Sequence, residues 1–123
     1  MENKQINVVI IDDEREILSS LERFLNRNDK YKVKCYENPV TALSSIAKDT
    51  DVILLDVMMP QMNGLDLLPK LKEKLPEVKI IIMTAYSTLD TVINAHRNGA
   101  TDYIMKPFPS LADVSKKIDS ILY

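Results

Sequence analysis

Four short stretches hold the residues best suited to shared chemistry, and each stands just after an apolar run. Asp12 and Asp13 follow Val8 to Ile11, Asp56 follows Val52 to Leu55, Thr84 follows Ile80 to Met83, and Lys106 follows Tyr103 to Met105. If those runs are strands of one parallel sheet, these side chains end at one rim. Several carboxylates brought so close repel one another unless a cation lies among them. An all-oxygen set without His or Cys selects a hard ion, and few protein ligands in an open site favour Mg²⁺ over Ca²⁺, with Mn²⁺ as a substitute. The Lys106 ammonium and the Thr84 hydroxyl suit phosphoryl oxygens. A carboxylate can itself accept a phosphoryl group. Asp56, apart from the acidic pair and near the sheet's centre, is the candidate acceptor.

The elements that must position these residues alternate between two periods. Ile6 with Val8 to Ile11, Val52 to Leu55, and Val78 with Ile80 to Met83 are nearly continuous apolar runs, as strands buried on both faces should be. Tyr31, Val33 and Cys35 alternate with Lys32 and Lys34, and Tyr103 to Met105 is short and flanked by polar residues, so these two strands belong at the edges. Between them, helical spacing places Ile17, Leu18, Leu21, Phe24 and Leu25 on one stripe. Val40, Leu43, Ile46 and Ala47 mark a second helix, opened by Asn38-Pro39. Leu65, Leu68, Leu71 and Leu75 mark a third, in which Pro69 predicts a late start or a kink. Leu89, Val92 and Ile93 follow a cap at Ser87, with Asp90 three residues on and Gly99 as the stop. Leu111, Val114, Ile118, Ile121 and Leu122 follow a cap at Ser110. Five strands and five helices in alternation predict an α/β fold, a doubly wound parallel sheet in the order 2-1-3-4-5 with helices on both faces, and one domain over 1–123. In such a sheet ligands bind beyond the carboxyl ends of the strands, at the switch point between strands one and three.

Composition narrows the classes. With 46% hydrophobic residues the chain of 123 can bury a real core, which excludes a disordered segment. A formal charge of −2 argues against a nucleic-acid-binding domain, whose phosphate contacts need a basic face. No apolar run approaches the length of a membrane helix, and Asp12-Asp13-Glu14 cuts the first one short of a signal peptide. The single cysteine, Cys35, can form no internal disulfide, which fits a cytoplasmic location.

The motifs Val9-Ile10-Ile11-Asp12-Asp13-Glu14, Asp56-Val57-Met58-Met59-Pro60 with Gly64, Met83-Thr84-Ala85 and Lys106-Pro107-Phe108 make the sequence resemble a response-regulator receiver domain of two-component signalling. These motifs span nearly the whole chain in the family's order and spacing. Met83 to Ser87 and Gly99 to Ile104 look most like receivers of enhancer-binding transcription activators. The resemblance implies a flavodoxin-like (βα)5 fold and Asp56 as phosphoacceptor, served by a sensor histidine kinase or phosphotransfer protein. It further implies Asp13, Asp56 and the Met58 backbone carbonyl as Mg²⁺ ligands, with Asp12 acting mostly through water. Lys106 would pair with the phosphoryl group, followed by a cis bond to Pro107. Thr84 and Tyr103 would be the switch pair that re-packs the helix-four, strand-five, helix-five face to control an output domain or partner. Met58 and Tyr86, two residues after Asp56 and Thr84, are placed to shield the acyl phosphate and set its lifetime.

Other classes fit less well. A flavodoxin-like FMN carrier shares the layout but cradles phosphate in a Gly/Ser/Thr-rich loop after strand one, where this chain is acidic. An aspartate-nucleophile Mg²⁺-dependent phosphatase usually carries Asp-x-Asp there, a spacing that Asp12-Asp13 lacks. A phosphorylation-independent docking module would have no need of the five site residues. No direct nucleic-acid or membrane contact is expected, and the domain is read as a regulatory phosphoacceptor that catalyses only its own phosphotransfer and dephosphorylation. A monomer or a phosphorylation-promoted dimer is expected, the dimer formed through the helix-four and helix-five face with Asp90, Arg97, Asp102 and Lys116 nearby.

Overall fold

A computed structural model of the chain describes residues 5–85 and 89–122, the side chain of residue 89 excepted. The elements run β1 (Ile6–Ile11), α1 (Arg15–Asn26), β2 (Tyr31–Tyr36), α2 (Pro39–Ser45), β3 (Val52–Asp56), α3 (Gly64–Lys74), β4 (Lys79–Thr84), α4 (Leu89–Arg97), β5 (Asp102–Met105) and α5 (Leu111–Leu122). All strand pairs are parallel and their order is β2-β1-β3-β4-β5, as the run-length pattern predicts.

Alternation along the central strands feeds two cores. Val9, Ile11, Ile53, Leu55, Ile80 and Ile82 face one side, against Ala42 of α2, Leu67, Leu68 and Leu71 of α3, and Ala95 of α4. Val8, Ile10, Val52, Leu54, Ile81 and Met83 face the other, against Leu18, Leu21 and Leu25 of α1 and Val114 and Ile118 of α5. Every residue of β3 is buried. Each fully buried Val, Leu, Ile or Met among them contributes roughly 1.5–3 kcal/mol by leaving water.

Helix ends follow their local chemistry, with some departures from the sequence pattern. The Asn38 side chain accepts from the N–H groups of Val40 and Thr41, and the Asn63 side chain from that of Leu65. The Ser110 hydroxyl accepts from the Asp113 N–H at 3.2 Å, as expected. The expected late start of α3 is wrong: the helix begins at Gly64 and carries Pro69 inside it, on the exposed side. Pro69 leaves the Leu65 carbonyl without its usual donor, which solvent can replace there. α2 is shorter than its apolar spacing implied. Ile46 is buried but has left helical backbone (ψ 133°), Ala47 lies beyond the helix, and Val40 is 54% exposed. Gly99 closes α4 with φ +110° and donates to the His96 carbonyl, while the Ala100 N–H reaches the Ala95 carbonyl, as in a Schellman motif. The Ser87 cap lies outside the described residues.

Candidate functional site

The carboxyl ends of β1, β3, β4 and β5 bring the predicted residues to one rim. Asp12 is fully buried just past β1, its N–H donating to the Tyr36 carbonyl at 3.1 Å. Asp56 closes β3 at 3% exposure and Thr84 closes β4 at 1%. The Lys106 N–H donates to the Thr84 carbonyl at 2.8 Å, fixing the start of the next loop, and the Lys106–Pro107 bond is cis, as the resemblance implied.

Gly64 makes the arrangement possible. Its N–H donates to the Val57 carbonyl at 2.8 Å, so α3 starts directly beneath the end of β3. A Cβ there would stand 2.2 Å from the Asp56 carbonyl oxygen. Only glycine lets the two backbones meet so closely.

One ammonium serves three carboxylates. Lys106 Nζ lies 2.6 Å from Asp12 Oδ2, 3.1 Å from Asp56 Oδ1 and 3.4 Å from Glu14 Oε1. The other Asp12 oxygen, Oδ1, accepts the Glu14 N–H at 2.9 Å. Burial first, and the charge of Asp12 second, push the Asp56 carboxyl up to about 7 despite the neighbouring ammonium. Burial also raises Asp12, against the pull of Lys106 and the Glu14 N–H. For Lys106 burial works against the charged form, but its hydrogen bonds and attraction to Asp12 and Asp56 prevail, and its pKa is raised.

This excess of negative charge has the donor chemistry of a hard-cation site. Asp12, Asp13 and Asp56 each offer an oxygen, all within 4.8 Å of one another, with no His or Cys among them. Two of these carboxylates are buried and Asp13 is half-buried, leaving one side of the cluster open to water. Such a set fits Mg²⁺, which holds few carboxylates and keeps several waters.

The outlying predicted residues lie around this centre. Met58 is 57% exposed and lines a shallow recess with Asp13, Val57, Met59, Pro60 and Asn63. Tyr103, on β5, is 37% exposed, with Lys117 Nζ 5.9 Å from its ring centroid. Beside it a cleft of about 360 Å³ runs under α4, lined by Ile82, Val92, Ala95 and Ala100 among others. Tyr86 lies outside the described residues. The contact between Glu14 and Lys106 was not foreseen: Glu14 reads as one more acid at a helix start, and only the fold brings the lysine to it.

An acidic, oxygen-only cluster around one lysine, at the switch point of a five-stranded doubly wound sheet, defines a class of signalling domain. Residues 8–119 match the response regulator receiver domain family, and the chain belongs to it. It is a regulatory domain of two-component signalling, in which aspartate phosphorylation and Mg²⁺ binding are typical. More particularly, its sequence is similar to regulators named NtrC. It is 41% identical over 103 residues to the DNA-binding transcriptional regulator NtrC of Proteus hauseri, covering 83% of this chain and 22% of that protein. To the transcriptional regulatory protein ZraR of Klebsiella oxytoca it is 33% identical over 108 residues, covering 87% and 24%. The chain therefore spans about a fifth to a quarter of the length of these relatives.

Solved structures agree. A CheY-like receiver domain protein from Methanospirillum hungatei superposes with a TM-score of 0.87 at 30% identity, over 95% of this chain and 93% of that one. A response regulator from Burkholderia pseudomallei, described with a phosphorylated aspartic acid, a calcium ion and citrate, gives 0.81 at 25%, over 94% and 72%. No helix among the described residues is long and apolar enough to cross a membrane.

Proposed function

We propose that the chain receives a phosphoryl group on Asp56 from the phosphohistidine of a sensor histidine kinase, from a phosphotransfer protein, or from a small acyl phosphate. The observation that carries this reading is the placement of Asp56, buried and bonded to Lys106, within reach of the Asp12 and Asp13 oxygens. Mg²⁺ would be held by Asp13, Asp56 and the Met58 backbone carbonyl, with Asp12 acting mostly through water, and would supply positive charge that offsets the phosphoryl oxygens. Asp56 attacks as the carboxylate. Its oxygen bonds to phosphorus as the bond to the histidine nitrogen breaks, and the imidazole leaves with that electron pair. Lys106 exchanges part of its contact with Asp56 for a phosphoryl oxygen.

The switch then passes through Thr84 and Tyr103. The Thr84 hydroxyl, at the end of β4 next to Asp56, donates to a phosphoryl oxygen. The Tyr103 ring turns from its exposed position toward the space Thr84 vacates, re-packing the face of α4, β5 and α5. That face controls an output domain or downstream protein. The shift is one of populations, so a minor active-like form precedes phosphorylation. The chain acts on itself alone, hydrolysing its own acyl phosphate at a rate that Met58 and Tyr86 limit by excluding water. In this reading it works in the cytoplasm without contacting nucleic acid or membrane, as a monomer or as a dimer promoted by phosphorylation.

Intact mass after incubation with acetyl phosphate and Mg²⁺ tests the reading. Wild type gains one phosphoryl group, the gain requires Mg²⁺, and Asp56→Asn gains none. A phosphoryl group that persists in Asp56→Asn would assign the acceptor elsewhere.

A further inference from the structure

We infer that Glu14 is a charge gate on the Lys106 side of the site, selecting against small phosphodonors of high negative charge; this rests on the reading of Asp56 as acceptor. Glu14 occupies the N-cap of α1 in extended backbone (φ −89°, ψ 108°), where a capping side chain ordinarily accepts an N–H of the first turn. Its carboxylate makes no such bond. It points instead to Lys106 Nζ, 3.4 Å away. Of the three carboxylates on that ammonium, Asp12 and Asp56 are buried, while the Glu14 side chain is 60% exposed. Glu14 therefore holds the solvent side of Lys106, where an incoming phosphoryl group must bring its oxygens.

The charge acts on approach. A donor reaching Lys106 from solvent meets the Glu14 carboxylate first and must displace it. The repulsion scales with the product of charges, so a dianion is hindered by the square of the factor that hinders a monoanion. It is also screened by salt, because the gate is exposed. Glu14 is thus a specificity-determining residue that slows free acyl phosphates. A protein donor that brings its own cation to the rim would relieve the block.

The chemistry at Asp56 is the same for both test donors. With acetyl phosphate the Asp56 oxygen bonds to phosphorus as the bond to the acyl oxygen breaks, and acetate leaves with the electron pair. With phosphoramidate, a monoanion near pH 7 whose nitrogen carries its proton, the phosphorus–nitrogen bond breaks and ammonia leaves.

The test measures initial phosphorylation rates by intact mass at saturating Mg²⁺ for wild type, Glu14→Gln and Glu14→Asp. At low ionic strength Glu14→Gln should speed acetyl phosphate about tenfold and phosphoramidate about threefold, and both gains should fall below about twofold in 0.3 M salt. Glu14→Asp keeps the charge at the rim and should stay within about twofold of wild type. Equal gains with the two donors, gains that salt leaves unchanged, or a Glu14→Asp that behaves like Glu14→Gln would overturn the gate. Labelled wild type with unchanged Glu14→Gln rates overturns the gate alone. No label on any of the three proteins from either donor overturns the Asp56 reading and the gate with it.

Discussion

The two rims of the sheet handle polar groups in opposite ways. At the amino ends of the strands, Asp51 Oδ2 accepts the Asn7 N–H at 2.8 Å, and the Asn7 side-chain amide donates to the Asp49 carbonyl at 2.9 Å. The Thr50 hydroxyl donates to the Ala47 carbonyl at 2.7 Å. Each of these side chains serves backbone close by in space, around an open recess lined by Asn7, Asp49, Thr50 and Asp51. At the carboxyl ends, Asp12, Asp56 and Glu14 converge on one ammonium, with Asp13 beside them. One rim satisfies its groups locally. The other concentrates charge that only an added cation balances, which marks it as a working surface rather than a structural one.

The sharpest way to break this contrast is at Gly64, which supports the charged rim from beneath. Gly64→Ala places a Cβ 2.2 Å from the Asp56 carbonyl oxygen, so the loop must shift. A loss of about 3–4 kcal/mol is expected in urea denaturation. A loss below about 1 kcal/mol would show that the loop yields easily.

Next in size is a gain. The folded, metal-free chain holds the Asp56 proton at about 7, against 3.8 ordinarily. Between those values this carboxyl binds more proton in the folded state than in the unfolded one, so its contribution to stability falls as pH rises from about 4 to 7. Asparagine cannot ionise. In EDTA, Asp56→Asn should exceed wild type by about 2 kcal/mol at pH 8, a difference that closes toward pH 4. A difference constant in pH would mean that Asp56 carries no such strain.

The quiet rim should respond in the opposite sense. Asp51→Ala leaves the Asn7 N–H without its acceptor and should cost about 1–2 kcal/mol, with no gain at any pH. Smallest of all is the Arg15–Glu37 pair, which lies at the charged rim but in solvent, with the Arg15 side chain 82% exposed. Arg15→Ala should change the melting free energy by less than about 0.5 kcal/mol. A larger effect would extend the strained region beyond the cluster around Lys106.

Sheet order was legible because burial on both faces leaves a compositional trace: Val52 to Leu55 and Ile80 to Met83 carry no polar residue, whereas Lys32 and Lys34 alternate with Val33 and Cys35. The convergence of Asp12, Asp56, Thr84 and Lys106 followed from strand ends alone. What escaped were features set by tertiary partners. Val40 has apolar helical spacing, but α2 is short and presents Pro39 and Ala42 to the core instead. Pro69 pointed to a late start or a kink, yet the Asn63 cap and the Gly64 bond to Val57 start α3 ahead of it. Glu14 looked like a helix-start charge because its lysine partner lies 92 residues away.

The Lys106–Asp12 ion pair closes a loop of 94 residues, and between its ends the chain must also deliver Asp56 and Thr84. A closure of that length costs chain entropy that local helical contacts do not. A fragment that stops at or before Met105 lacks Lys106, and with it the ammonium on which Asp12 and Asp56 converge. The charged rim is therefore a property of the folded domain as a whole, carried by no segment of it alone.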